Sequence, residues 1–150
     1  MISSSLQAVR QHLGMEAAFV GRFHQGRRIF EFVDSADTFC PIRPGDSDPR
    51  EETYCDLVVT GRIPELIPDT TDVAEVADLP ATTQLPVGSH ISVPLRSLDG
   101  ETFGTFCCFS SQADPTLRER DLDVLKVVGE VVGEHLHFLL GHREEHEAAL

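Results

Sequence analysis

Basic residues are scarce in this chain. Only 12 Lys and Arg stand against 25 Asp and Glu among 150 residues, a formal net charge of -13, and so acidic a surface repels the phosphates of nucleic acid and of anionic lipid. No apolar run approaches the ~20 residues that span a bilayer, and Met1-Ile2-Ser3-Ser4-Ser5 has neither the basic nor the apolar region of a secretory signal. These absences predict a cytoplasmic chain whose partners are small molecules or proteins, with no nucleic acid and no membrane. Cys40, Cys55, Cys107 and Cys108 show no CxxC spacing, which argues against a zinc ribbon or a thioredoxin-type site; they read as free thiols in a reducing compartment. With 41% hydrophobic and 25% charged residues the chain is not disordered, and it is long enough for one domain with its own core.

What is present is clearest between Val87 and Phe109. Two apolar, β-prone runs flank Asp99-Gly100, the signature of a hairpin. With Asp99 and Gly100 as a two-residue loop, Leu98 faces Glu101, Leu95 faces Gly104, Val93 faces Phe106 and Ser92 faces Cys107. Alternation then sorts the side chains into a greasy face of Ile91, Val93, Leu95, Phe106 and Cys108 and a mixed face of Ser92, Pro94, Phe103, Thr105, Cys107 and Phe109. The first is suited to a core and the second to a pocket wall, provided that the register does not slip by one.

Around this hairpin, Ile2, Leu6, Val9 and Leu13 recur at helical spacing before Gly14. Residues 17–23 and 28–33 form a second hairpin about His24-Gln25-Gly26-Arg27, and residues 34–47 read as loop. Asp48-Pro49-Arg50-Glu51 has the form of a capping box, predicting a helix from Pro49 to Thr60 that stops at Gly61. A short, proline-interrupted edge strand follows at 63–69. The acidic stretch 70–86, with one helical turn at 73–77, has the length of a lid. Thr116-Leu117-Arg118-Glu119 repeats the capping-box pattern ahead of a long helix with Leu122, Leu125, Val128, Val132, Leu136 and Leu139 on its apolar face, reaching His142 or beyond. The sum is an α+β fold: an antiparallel sheet with the terminal helices on one face and the internal helix and lid on the other.

Tyr54-Cys55, Ile67-Pro68-Asp69, Val93-Pro94-Leu95, Asp99-Gly100, Gly104-Thr105-Phe106-Cys107, and Asp121 with Leu125, taken in that order, resemble a GAF domain of the bacterial signalling subgroup found with histidine kinase, diguanylate cyclase and cyclic-di-GMP phosphodiesterase domains. The resemblance implies a central five- or six-stranded antiparallel sheet, with a ligand cavity opposite the terminal helices. It divides the chain into an N-terminal helix at 1–14, a sensory domain at 15–142, and a frayed helix end or linker to an absent output domain at 143–150. It implies a non-enzymatic, regulatory small-ligand-binding domain signalling through its terminal helices. Phytochrome-type relatives attach a bilin through a cysteine commonly followed by histidine, whereas Cys55 precedes Asp56. Haem-binding relatives offer an axial histidine, for which His90 is the candidate. Free methionine sulfoxide reductases use cysteines ahead of the Val-Pro-Leu segment, and residues 70–92 contain none.

The candidate ligand-binding residues are Cys55, Asp69, Ser92, Thr105 and Cys107, with no catalytic or metal residue and no cofactor named. Tyr54 also reads as core. No cation lies close to Cys55 in sequence to depress its pKa, and Asp69, ahead of two threonines, is equally a turn cap. His142-Arg143-Glu144-Glu145-His146 matches a zinc-peptidase pattern but reads as a solvated helix end. Leu125, Val128, Val132, His135, Leu139 and His142 trace a seam that predicts a parallel homodimer, with Gly129 and Gly133 allowing close approach. The other readings are a structural dimerisation module with a filled cavity, and a thiol redox enzyme or switch built on Cys55 and Cys107.

Overall fold

The computed structural model describes residues 2–36 and 42–149, and the side chains of the last helix as far as Leu139. Cys40 and the side chains of the 142–146 motif lie outside the described residues. In chain order the elements are α1 (Ile2–Leu13), β1 (Ala17–His24), β2 (Arg27–Ser35), β3 (Ser47–Pro49), α2 (Tyr54–Val59), β4 (Leu66–Ile67), α3 (Pro80–Gln84), β5 (Ser89–Arg96), β6 (Thr102–Ser110) and α4 (Glu119–Ala149), with short 3-10 turns at 50–52, 70–72 and 74–76. The strands form one six-stranded antiparallel sheet in the order β3-β2-β1-β6-β5-β4. This is the expected α+β architecture.

The sheet separates two cores, as strand alternation requires. On one face α1 and α4 bury Leu6, Val9, Leu125, Val132 and Leu136 against Val20, Ile91, Val93, Leu95, Phe106 and Cys108. On the other, α2 and the 63–87 segment bury Tyr54, Leu57, Val58, Ile67, Val76 and Val87 against Phe19, Phe30, Cys107 and Phe109. Cys107 and Cys108, adjacent in sequence, therefore belong to different cores.

In the central hairpin, Leu95 pairs with Gly104, Val93 with Phe106 and Ser92 with Cys107 as expected, but Arg96 pairs with Thr102. The tip is not the two-residue loop: Ser97 N–H donates to the Glu101 carbonyl and Gly100, at φ 85°, donates to the Ser97 carbonyl, so Leu98-Asp99-Gly100 is a three-residue loop ending in a left-handed glycine. Ser97, not Leu98, faces Glu101. A bulge at Phe103 absorbs the extra residue and restores the register beyond it. It also moves Phe103 off the mixed face, since its ring packs with the helix-side core and lies 6.3 Å from the His137 ring.

Two helix starts differ from expectation because another partner takes the capping residue. Ser47 to Pro49 form the edge strand β3, paired with β2 through Asp48 opposite Arg28. Helix α2 begins later, where Thr53 accepts the Asp56 N–H at 3.2 Å. Likewise Thr116 donates its N–H to Asp114, and Arg118 occupies the cap of α4 with Asp121 accepting its N–H at 2.9 Å. In the lid, α3 occupies a stretch the sequence pattern left irregular. The seam residues Leu125 and Val132 are buried under the sheet. Gly129 serves that packing: a Cβ there would lie 2.9 Å from Val93 Cγ2.

Candidate functional site

On the face opposite α1 and α4, a half-open cavity of about 340 Å³ lies among β1, β2, β5, α2 and the lid, with Arg28, Tyr54 and His90 among its polar lining. Its aromatic wall comes from strand positions that alternate inward, with Phe19 and Phe30 in edge-to-face contact at 4.8 Å and Phe109 beside them. Pro80, Ala81, Gln84 and Leu85 close it from the lid. Tyr54 ties that lid to α2: its hydroxyl meets the Thr82 hydroxyl, which in turn donates to the Val76 carbonyl at 2.6 Å.

Arg28 is the buried cation of the site. Its guanidinium stacks 3.9 Å from the centre of the Phe30 ring, donates from Nη2 to Asp48 at 2.6 Å, and places Nη1 3.5 Å from Cys55 Sγ. Nε, also buried, has no hydrogen-bond partner. Gly21 makes room for this side chain, since a Cβ there would stand 2.9 Å from Arg28 Cδ.

His90 faces the same cavity from β5, its ring 4.7 Å from that of Tyr54. It is only 2% exposed, and neither ring nitrogen has a partner. Burial, and then the Arg28 charge, pull its pKa down to about 3, so the imidazole is neutral at pH 7, with one nitrogen donating and one accepting.

Behind Arg28 lies a second group. Cys107 donates its S–H to Thr105 Oγ1 at 3.2 Å, Thr105 donates to Cys55 Sγ at 3.0 Å, and the two sulfurs are 3.9 Å apart. Burial pushes the Cys55 thiol up, but the Cys107 hydrogen bond, the Arg28 charge and the hydrogen bonds from Thr105 and Arg28 together bring it down to about 6. Burial, aided by Cys55, holds Cys107 well above the ordinary thiol range. On the opposite face, burial takes Cys108 up to about 12.

The structure thus brings Cys55, Thr105 and Cys107 together, with Ser92 across from Cys107 on β5 and its buried hydroxyl unpartnered. Asp69 stands apart, capping the 70–72 turn by accepting the Thr71 N–H at 3.0 Å and its hydroxyl at 2.7 Å. None of these five lines the cavity. Sequence reasoning missed Arg28, which reaches Cys55 across 27 positions; its signal was a cation sharing a strand face with Phe30, two residues on. Among the described residues, no three His, Cys, Asp or Glu side chains converge to hold a metal ion.

The family model for the GAF domain matches residues 1–137, and the chain belongs to that family. Solved structures with the same fold include the blue-light absorbing form of the Thermosynechococcus elongatus PixJ GAF domain, at TM-score 0.70 and 19% identity over 99% of this chain and 89% of that one. The red light-absorbing state of NpR6012g4, a red/green cyanobacteriochrome, matches at TM-score 0.72 and 20% identity over 91% of each chain. The far-red absorbing dark state of JSC1_58120g3, with bound biliverdin IXa, matches at TM-score 0.70 and 18% identity over 90% of this chain and 86% of that one. No curated protein matches the sequence.

Proposed function

We propose that this GAF domain is a non-enzymatic sensory module that binds a small molecule in the cavity walled by Phe19, Phe30, Phe109, Arg28, Tyr54 and His90. The observation that carries this reading is His90: a neutral imidazole, nearly fully buried, with both nitrogens unpartnered at the cavity wall. Buried polar atoms in folded proteins are nearly always hydrogen-bonded, and here the missing partners are those a ligand in the cavity supplies, together with one for Arg28 Nε. The cavity volume is at the lower end of the range for ligand pockets. Asp46, Asp48 and Glu52 at its edge offset the Arg28 charge, which favours a compact ligand without net negative charge that carries both a hydrogen-bond donor and an acceptor. Among the described residues no cysteine lines the cavity for covalent attachment of a bilin. Cys55, Ser92, Thr105 and Cys107 stand outside the cavity lining, and Cys55 touches Arg28 from behind it. The test is native mass spectrometry of the purified protein followed by thermal-shift screening of a metabolite panel. A retained or stabilising compound that no longer binds His90→Leu supports the reading; a compound bound equally by that variant removes it.

Exposed residues of α4 favour a homodimer as the form in which such a sensor works. Val127, Val131 and Phe138 are 65%, 56% and 70% exposed, a strip on the side of the helix away from the sheet, displaced by one position from the seam read in the sequence. A second copy packed along this strip would pair the two terminal helices and carry a signal to an output domain. Val127→Glu with Val131→Glu yields a monomer by light scattering if the strip is the interface; an unchanged mass removes it.

A further inference from the structure

We propose that Cys55 and Cys107 form a peroxide-oxidisable dithiol, with Cys55 as the attacking thiolate and Cys107 as the resolving thiol. Cys55 Sγ receives the Thr105 hydroxyl and an Arg28 N–H, and Cys107 Sγ stands 3.9 Å away. Cys55 Sγ thus receives two donors, one of them cationic, with the second sulfur beside it, a set of partners that stabilises a thiolate. Its lowered pKa agrees. Cys107 is the opposite member, a protonated thiol whose hydrogen points to Thr105 Oγ1. The pair is buried, but Arg28, which lines the cavity, also touches Cys55 through Nη1. Hydrogen peroxide in the cavity reaches Cys55 when the Arg28 side chain moves aside.

The electron acceptor is a hydroperoxide. The Cys55 thiolate attacks one peroxide oxygen, forming an S–O bond and breaking the O–O bond; the departing oxygen takes a proton and leaves as water or an alcohol. Cys107 then attacks the Cys55 sulfur, forming the S–S bond as the S–O bond breaks, and its proton leaves with the displaced hydroxide as a second water. The two thiols lose two electrons, which the peroxide gains. Thr105, already accepting from Cys107 and donating to Cys55, is the hydroxyl placed to pass that proton. Arg28 loses its thiolate partner in the product and keeps its ion pair with Asp48, so oxidation leaves the cavity with a less neutralised cation. The dithiol stands on its own contacts and does not require that the cavity hold a ligand.

The test exposes the reduced full chain to hydrogen peroxide, quenches with acid, alkylates under denaturing conditions and maps the peptides. The expected result is a linked Cys55–Cys107 peptide pair while Cys108 is still alkylated. Cys107→Ser halts at a Cys55 sulfenic acid trapped by dimedone, and Arg28→Met slows Cys55 oxidation roughly tenfold without changing Cys108. Cys55 alkylated after an exposure that oxidises free cysteine, Cys55 and Cys108 oxidised at equal rates, or Cys55 joined to Cys40 would each overturn the proposal. The wild-type map alone decides it should a variant fail to fold. Ligand retention, read on the reduced protein, is a separate measurement.

Discussion

Replacing His90 with leucine separates what the residue does for ligand binding from what it costs the fold. The ring is buried with two unpartnered nitrogens, and a buried polar group without a partner costs ~1–3 kcal/mol. Leucine is of similar size and has no polar atom, so His90→Leu is expected to stabilise the ligand-free protein by about 1–3 kcal/mol, after a small loss for the stacking on Tyr54. At about 2–4 °C per kcal/mol for a chain of this size, the melting temperature rises. The pH dependence supplies a second readout. His90 is neutral in the folded state until about pH 3, against an ordinary value of 6.5. Between those values the unfolded chain binds the extra proton, so stability falls with falling pH by up to about 1.4 kcal/mol per pH unit. His90→Leu lacks that contribution. Urea titrations of both proteins at several pH values from 7 to 4 therefore show a gap that widens toward acid in favour of the variant. A variant less stable at pH 7, or a gap that does not change with pH, refutes the assignment of His90 as a neutral, unsatisfied group.

Other substitutions test the framework around the site. Gly104→Ala places a Cβ 2.1 Å from the Gly21 carbonyl oxygen, a backbone clash expected to cost ~4 kcal/mol or more and to show as a collapse of the urea midpoint. Thr53→Ala removes the cap of α2 and is expected to lower stability by about 1 kcal/mol in the same titration. Leu125→Ala, beneath the sheet, costs ~2–5 kcal/mol, whereas Glu130→Ala, at an exposed site outside the proposed dimer strip, stays within about 0.5 kcal/mol; similar losses at both would place the helix face wrongly.

The sheet, its two faces and the lid were legible because alternation and helical spacing are local patterns. Even the pairing of Ser92 with Cys107 followed from counting outward from Asp99-Gly100, although two departures, the longer loop and the Phe103 bulge, cancel to preserve it. Helix starts were less legible because a capping residue can be claimed by something distant: Asp48 serves Arg28 across the β2–β3 pair, and no local motif records that. The site was least legible of all. Its cation, its imidazole and its tyrosine come from β2, β5 and α2 and meet only in three dimensions, so a search for a cation near Cys55 in sequence could not find Arg28. The cysteine pair was named as a redox alternative from residue type alone; the 3.9 Å separation is what the fold adds.

The cancelling loop and bulge make the hairpin tip a compensated joint. Leu98, 83% exposed at its apex, lies outside the bulge, so the strand register that aligns Ser92 with Cys107 is locked on the inner side of Phe103. Length changes at Leu98-Asp99-Gly100 therefore need not propagate into the wall. This makes the tip the place to graft a fluorophore-binding tag or an affinity peptide, with the occupancy of the cavity and the Cys55–Cys107 separation left as they are.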